Sequence, residues 1–158
     1  MYHDRPTTRA LSRILRVGAL AAAALFPCVG SAEGGYSTDK PLELRKVMQE
    51  LGRHMQTVTD AISREDWDVI VKAAPQIAEH PAPPALEKAR ILAFVGTDAG
   101  KFKANDDNTH KAAEALMGAA QRKDGAAVIG EFARLQSACM SCHQQFRQPI
   151  VKHFYGAN

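Results

Sequence analysis

From Leu44 onward, apolar residues fall at Leu44, Met48, Leu51, Met55, Val58 and Ile62, spaced 4, 3, 4, 3 and 4 apart. That period draws one apolar stripe along a helix and leaves Glu43, Lys46, Gln49, Glu50 and Arg53 on the wet side. Asp39-Lys40-Pro41 supplies its start signal. A second helix opens at Ser63-Arg64-Glu65-Asp66, a capping-box pattern, and turns Trp67, Ile70, Val71, Ala74, Ile77 and Ala78 inward. It stops at His80, because Pro81 disfavours helical geometry in the residue before it. The very short turn between these two helices makes them antiparallel neighbours. Pro81, Pro83 and Pro84 on one side and Gly96 on the other frame a short helix over 85–95, whose Ile91, Leu92, Phe94 and Val95 cover one end of the core. A third long helix starts near Asn105-Asp106-Asp107 and runs to about Arg122, with Ala113, Leu116, Met117 and Ala120 inward. After the Asp124-Gly125 turn a fourth spans about 126–148, and Pro149 ends or kinks it. Its stripe is Val128, Phe132, Leu135, Cys139, Cys142 and Phe146, again spaced 4, 3, 4, 3 and 4. No convincing strand alternation interrupts the pattern. The expected fold is all-α: an up-down-up-down antiparallel four-helix bundle with a short extra helix in the long connection between helices 2 and 3.

The N-terminus follows another logic. Arg5, Arg9, Arg13 and Arg16 precede a small and apolar run from Val17 to Phe26, and Pro27-Cys28-Val29-Gly30-Ser31-Ala32 follows. This is the pattern of a secretory signal, with cleavage expected after Ala32. The run is about half of the roughly 20 residues a membrane span needs, so no stable membrane anchor is expected. Residues 33–158 then form one domain, exported and expected in the periplasm. The full chain carries a net charge of +3. Residues 1–32 hold four Arg and one Asp, so the remainder has 16 Lys+Arg against 16 Asp+Glu. The basicity belongs to the leader, and nothing argues for a nucleic-acid partner.

Cysteine usage brings in the chemistry. Cys28 leaves with the leader, and Cys139 and Cys142 are the two that stay. They stand one turn apart on the same stripe, and His143 follows four residues after Cys139. Two thiols so placed can each add to one vinyl group of a single porphyrin, while the adjacent histidine reaches the iron. Cys-x-x-Cys-His is the signature of c-type haem attachment. A thioredoxin-like dithiol would want a βαβ setting, and a structural zinc would want four ligands. The expectation is one haem c per chain, covalently bound through Cys139 and Cys142 and ligated by His143.

With that motif near the end of a helical bundle, residues 40–150 resemble the class II cytochromes c, the cytochrome c′ group. Cys139-Met140-Ser141-Cys142-His143-Gln144-Gln145-Phe146-Arg147 fits the family's C-terminal motif. Met140 departs from a lysine common after the first cysteine, a difference of surface charge. The resemblance implies one of two subclasses: a six-coordinate one closed by a methionine of the first helix, or a five-coordinate one open to small gases. Met48, four residues before Gly52, looks like the methionine of the six-coordinate subclass. Leu44 is where a blocking apolar residue stands in the other. Both lie on the stripe, so spacing does not choose, and by periodicity alone Met48 is core filler. Met55 is the substitute ligand and Met117 the next.

Arg147 is read either at the haem rim and His143 or as solvated. His54 and His110 fall on polar faces, and His153 lies in a tail beyond Pro149. His80 is a helix-end histidine meeting the helix dipole, or else one that approaches a haem edge. The functional expectation is a periplasmic monohaem cytochrome passing single electrons to a redox partner protein. The alternatives are a five-coordinate cytochrome c′ binding nitric oxide or carbon monoxide, and a haem-free helical binding module. The resemblance also implies a homodimer through helices 1 and 2. An enzyme is not expected: the Glu-x-x-His pairs of di-iron bundles, glycine-rich phosphate loops and nucleophile elbows are all missing.

Overall fold

The computed structural model describes residues 42–156. The expected leader, its cleavage point and the Asp39-Lys40-Pro41 start signal lie outside them. Six α-helices follow in order: α1 Glu43–Ser63, α2 Trp67–Ala78, α3 Ala85–Val95, α4 Ala99–Gln121, α5 Gly125–Cys142 and α6 Gln148–Tyr155. A 3₁₀ turn, Gly96–Asp98, joins α3 to α4, and a π-helical turn, His143–Arg147, joins α5 to α6. Helices α1, α2, α4 and α5 make the four-helix bundle expected from the stripes, with α3 in the long connection. α4 packs along α2 and α5, α1 packs along α2, and α1 meets α5 only sparsely.

The two tight hairpins of the bundle are built alike. At the end of α1 the Asp66 N–H bonds to the Ala61 carbonyl, and Glu65 takes a left-handed φ of 55°. At the end of α4 the Asp124 N–H bonds to the Ala119 carbonyl, and Lys123 has the same φ of 55°. Each aspartate then caps the next helix, accepting from the N–H of Val69 (3.3 Å) and of Ala127 (3.0 Å). One residue thus closes a Schellman-type turn and opens the following helix. The expected capping box is corrected accordingly. Ser63 still belongs to α1, where its hydroxyl bonds back to the Thr59 carbonyl, and Asp66 is the cap.

The start of α1 is held from across the fold. The Glu87 carboxylate of α3 accepts from the N–H of Glu43 and of Leu44, each at 2.8 Å. A carboxylate on N–H groups at a helix start satisfies them and meets the positive end of the helix dipole.

The apolar core comes in two clusters. The main one joins Val58, Ile70, Ile77, Leu116, Val128 and Leu135, with Leu51, Met55, Met117 and Cys139 packed against it. The second caps one end of the bundle: Leu42, Ile91, Phe146, Ile150 and Phe154, with Leu44, Phe94, Phe102 and Cys142 against them. Burying each large aliphatic side chain contributes about 1.5–3 kcal/mol, so the six named members of the main cluster contribute most, and the alanines around them let the helices approach closely.

Two boundary expectations change, and so does the buried face of α1. α4 begins at Ala99, six residues before Asn105. Asn105 is buried within the helix, and Phe102, one turn earlier, packs edge-on against Phe146 at 5.2 Å. The helical run also continues past Pro149. The proline stands in the first turn of α6, where its missing N–H costs little. His153 is therefore on a helix, stacked on Phe94 at 4.2 Å, and not in a loose tail. In α1 the fully buried residues are Val47, Val58 and Ala61, while Leu44, Leu51, Met55 and Ile62 are half-buried and Met48 is 40% exposed. α1 leans on α2 and hardly on α5, so only part of its predicted stripe is covered.

Candidate functional site

Cys139 and Cys142 end α5 as free thiols, both half-buried. Cys139 packs against the main cluster and Cys142 against the end cluster, so the pair straddles the boundary between them. The environment turns polar there. Buried Asn105 accepts from the Ser141 hydroxyl at 3.0 Å, and the Thr109 hydroxyl bonds to the Asn105 carbonyl at 3.0 Å. Burial pushes the Cys142 thiol up to about 11, helped by the negative charge of Asp106 and by Cys139. Burial raises the Cys139 thiol as well.

His143 opens the π-helical turn. Such turns widen the helix by one residue and are frequent at functional sites. Its ring is exposed overall, yet partial desolvation and then the Arg147 guanidinium hold its pKa below the ordinary value. The imidazole is neutral near pH 7, with a lone pair to offer. Arg147 thus acts electrostatically on His143, although its side chain is exposed.

The methionines separate by packing. Met55 and Met117 lie against the main cluster. Met140 points outward between the cysteines at 56% exposure. Met48, at 40%, belongs to neither cluster. It stands on α1 between Leu44, which joins the end cluster, and Leu51, which joins the main one.

A second constellation was only partly visible in the sequence. His80, just past α2, places its Nε2 3.3 Å from Asp106 Oδ1 and 3.2 Å from His110 Nε2. His110 Nε2 lies 3.6 Å from the same Asp106 oxygen. His110 is half-buried in this cluster and not solvated as expected, and His80, at the end of α2, joins it by a contact that neither the dipole nor the haem-edge reading named. Asp106 and His110 stand four apart on α4, a spacing that could have flagged them as neighbours. The helix-start composition of Asn105-Asp106-Asp107 hides that role of Asp106.

Hydrogen bonding to Asp106 raises the His80 pKa, against the opposing effect of burial. The same bond lowers the pKa of Asp106. A raised histidine stabilises the fold below its unfolded value, 6.5, and that gain is lost as pH rises through the folded value. A lowered aspartate stabilises above its unfolded value, 3.8, and that gain is lost as pH falls through the folded value. The pair therefore contributes most between about pH 4 and 6.5. Urea unfolding of Asp106→Asn is expected to show its largest deficit near pH 5–6, up to about 1 kcal/mol for so exposed a partner, shrinking by pH 8.

A sequence model of the family described as Cytochrome C' matches residues 41–147, from the start of α1 through the π-helical turn. The chain belongs to the cytochrome c′ family. No curated protein and no solved structure matches it. Members of the cytochrome c′ family bind haem c and are in general not enzymes, which agrees with the Cys-x-x-Cys-His motif. The donor set fits that group: two unpaired thiols one turn apart and a neutral imidazole beside them. α6 lies beyond the matched span, so its cover over the end cluster is a feature of this chain outside the family match.

Proposed function

We propose that this cytochrome c′ family member is a periplasmic monohaem cytochrome that carries single electrons to and from a redox partner protein. In this reading one haem is held by thioether links to Cys139 and Cys142, with His143 as one axial ligand and Met48 as the other. The observation that carries it is the donor set at the boundary of the two apolar clusters. There the thiols are unpaired and the His143 pKa is lowered, chiefly by desolvation, and on α1 Met48 is the methionine that neither cluster takes up.

When bound, haem supplies an iron that alternates between ferric and ferrous. The chain's own part is to hold and tune. Cys139 and Cys142 fix position and orientation covalently. Desolvation and then the Arg147 charge lower the His143 pKa, which favours the neutral imidazole that can act as a ligand. Met48 offers a neutral thioether, which favours the ferrous form and raises the potential. Export belongs to the same reading, since residues 1–32 carry the signal pattern and covalent attachment takes place outside the cytoplasm. Among the described residues no helix is long and apolar enough to cross a membrane.

The test is the optical spectrum of the purified holoprotein, oxidised and reduced. A low-spin ferric spectrum with a near-infrared methionine-to-iron band is expected, and carbon monoxide should bind the ferrous form slowly. A high-spin spectrum with rapid carbon monoxide binding would move the protein to the gas-binding reading. A colourless protein would leave the haem-free helical module.

A further inference from the structure

We propose that His80, Asp106 and His110 form a binding site for a divalent transition-metal cation of the zinc class, separate from the haem ligands. The geometry of three donor atoms carries the proposal. The edges of the triangle His80 Nε2, His110 Nε2 and Asp106 Oδ1 are 3.2, 3.3 and 3.6 Å. Ligand atoms about 2.0–2.1 Å from a tetrahedral zinc stand about 3.3–3.4 Å from one another. The circle through the three atoms has a radius of about 1.95 Å, set by those edges. An ion at about 2.0–2.1 Å from each atom then sits about 0.4–0.8 Å out of their plane, and an ideal tetrahedron requires about 0.7 Å. The three atoms thus already hold one face of a tetrahedral shell. The fourth position is left to water, as at zinc sites with three protein ligands.

The surroundings support a ligand role. His80 Nδ1 lies 3.4 Å from the Pro81 carbonyl oxygen. A proton on Nδ1 donated there leaves the Nε2 lone pair facing the cluster, the arrangement by which ligating histidines are oriented. The His80 side chain is only 11% exposed, so its ring is held by packing, while His110 and Asp106, at 34% and 48%, give an ion a way in. Two imidazoles and a carboxylate suit zinc, copper or nickel better than calcium or magnesium, which take oxygen ligands. The two ring nitrogens carry at most two N–H groups between them, too few to satisfy all three contacts. A bound dication resolves that conflict. It also ties the end of α2 to the first half of α4, close enough to the motif that the Asp106 charge is felt at Cys142.

The experiment is isothermal titration of the tag-free holoprotein with zinc chloride near pH 7.5, with X-ray absorption at the zinc edge, which is distinct from that of iron. One zinc per chain is expected, in a shell of two imidazole nitrogens and light oxygen donors. His110→Ala and His80→Ala should each weaken binding at least about hundredfold, beyond the range typical of losing a supporting partner. His153→Ala should leave it unchanged. His110 is the less buried histidine, so His110→Ala carries the test if His80→Ala fails to fold, with circular dichroism as the check. The proposal is overturned if the wild type shows no saturable binding, or if both histidine variants bind like it. Sulfur in the zinc shell would also overturn it, because the metal would then be on Cys139 and Cys142. That result would count against haem attachment as well, whereas loss of nitrogen-ligated binding alone would leave the cytochrome reading standing.

Discussion

The double variant Cys139→Ser/Cys142→Ser is expected to lose essentially all of its haem on extraction with acidified acetone, while the wild type stays coloured in the protein pellet. The two cases differ in bond type. Addition of a thiol S–H across a vinyl double bond makes a carbon–sulfur bond, and acid does not reverse it. His143 alone is attached through a lone pair, and its imidazole already sits below the ordinary histidine range only by desolvation and the Arg147 charge. Strong acid protonates that nitrogen whatever its surroundings. Each single variant keeps one thioether and should retain its colour, so only the double variant crosses over. Serine at these positions should spare the fold, because neither cysteine is fully buried and the fully buried side chains of both clusters lie elsewhere. Whole-protein mass should equal polypeptide plus one intact haem, since addition expels nothing. Wild-type colour that moves into the solvent would refute covalent attachment.

The residues of that prediction were legible in the sequence because their chemistry is local: two cysteines and a histidine fall within five positions. The bundle was legible because each stripe repeats with helical period, and α3 because Pro84 and Gly96 bracket it. What escaped depends on residues far apart. Glu87 caps α1 across 43 positions and carries no local sign of doing so. His80 meets His110 across 30. Asn105-Asp106-Asp107 has the composition of a helix start, but Phe102 finds Phe146 and the helix extends back over it. The π-helical turn at His143 leaves no mark in the spacing, since Phe146 is buried either way. The tilt of the buried face of α1 toward Val47 follows from which neighbours α1 touches, and a stripe cannot specify that.

Met48→Ala is expected to convert a low-spin haem into a high-spin one that binds carbon monoxide rapidly when reduced. The reduction potential should fall by roughly 0.1 V or more, a part of the ~0.8 V that axial ligands command. Met55→Ala separates ligation from packing. Met55 lies against the main cluster, so its loss should cost about 2 kcal/mol of stability, the low end for such truncations because it is only half-buried. Its spectrum should stay low-spin. Met48, at 40% exposure and outside both clusters, should show the reverse: little loss of packing stability and a changed iron. The two methionines of α1 differ in their surroundings: Met55 packs against the main cluster, and Met48 is taken up by neither cluster. Spin state, near-infrared absorption and urea midpoints on the same three proteins read both effects. If Met55→Ala turned high-spin and Met48→Ala did not, the ligand would lie two turns further along α1 and electron transfer would stand. A wild type already high-spin would remove the methionine ligand altogether, with Leu44, half-buried one turn before Met48, as the residue to examine for control of gas access.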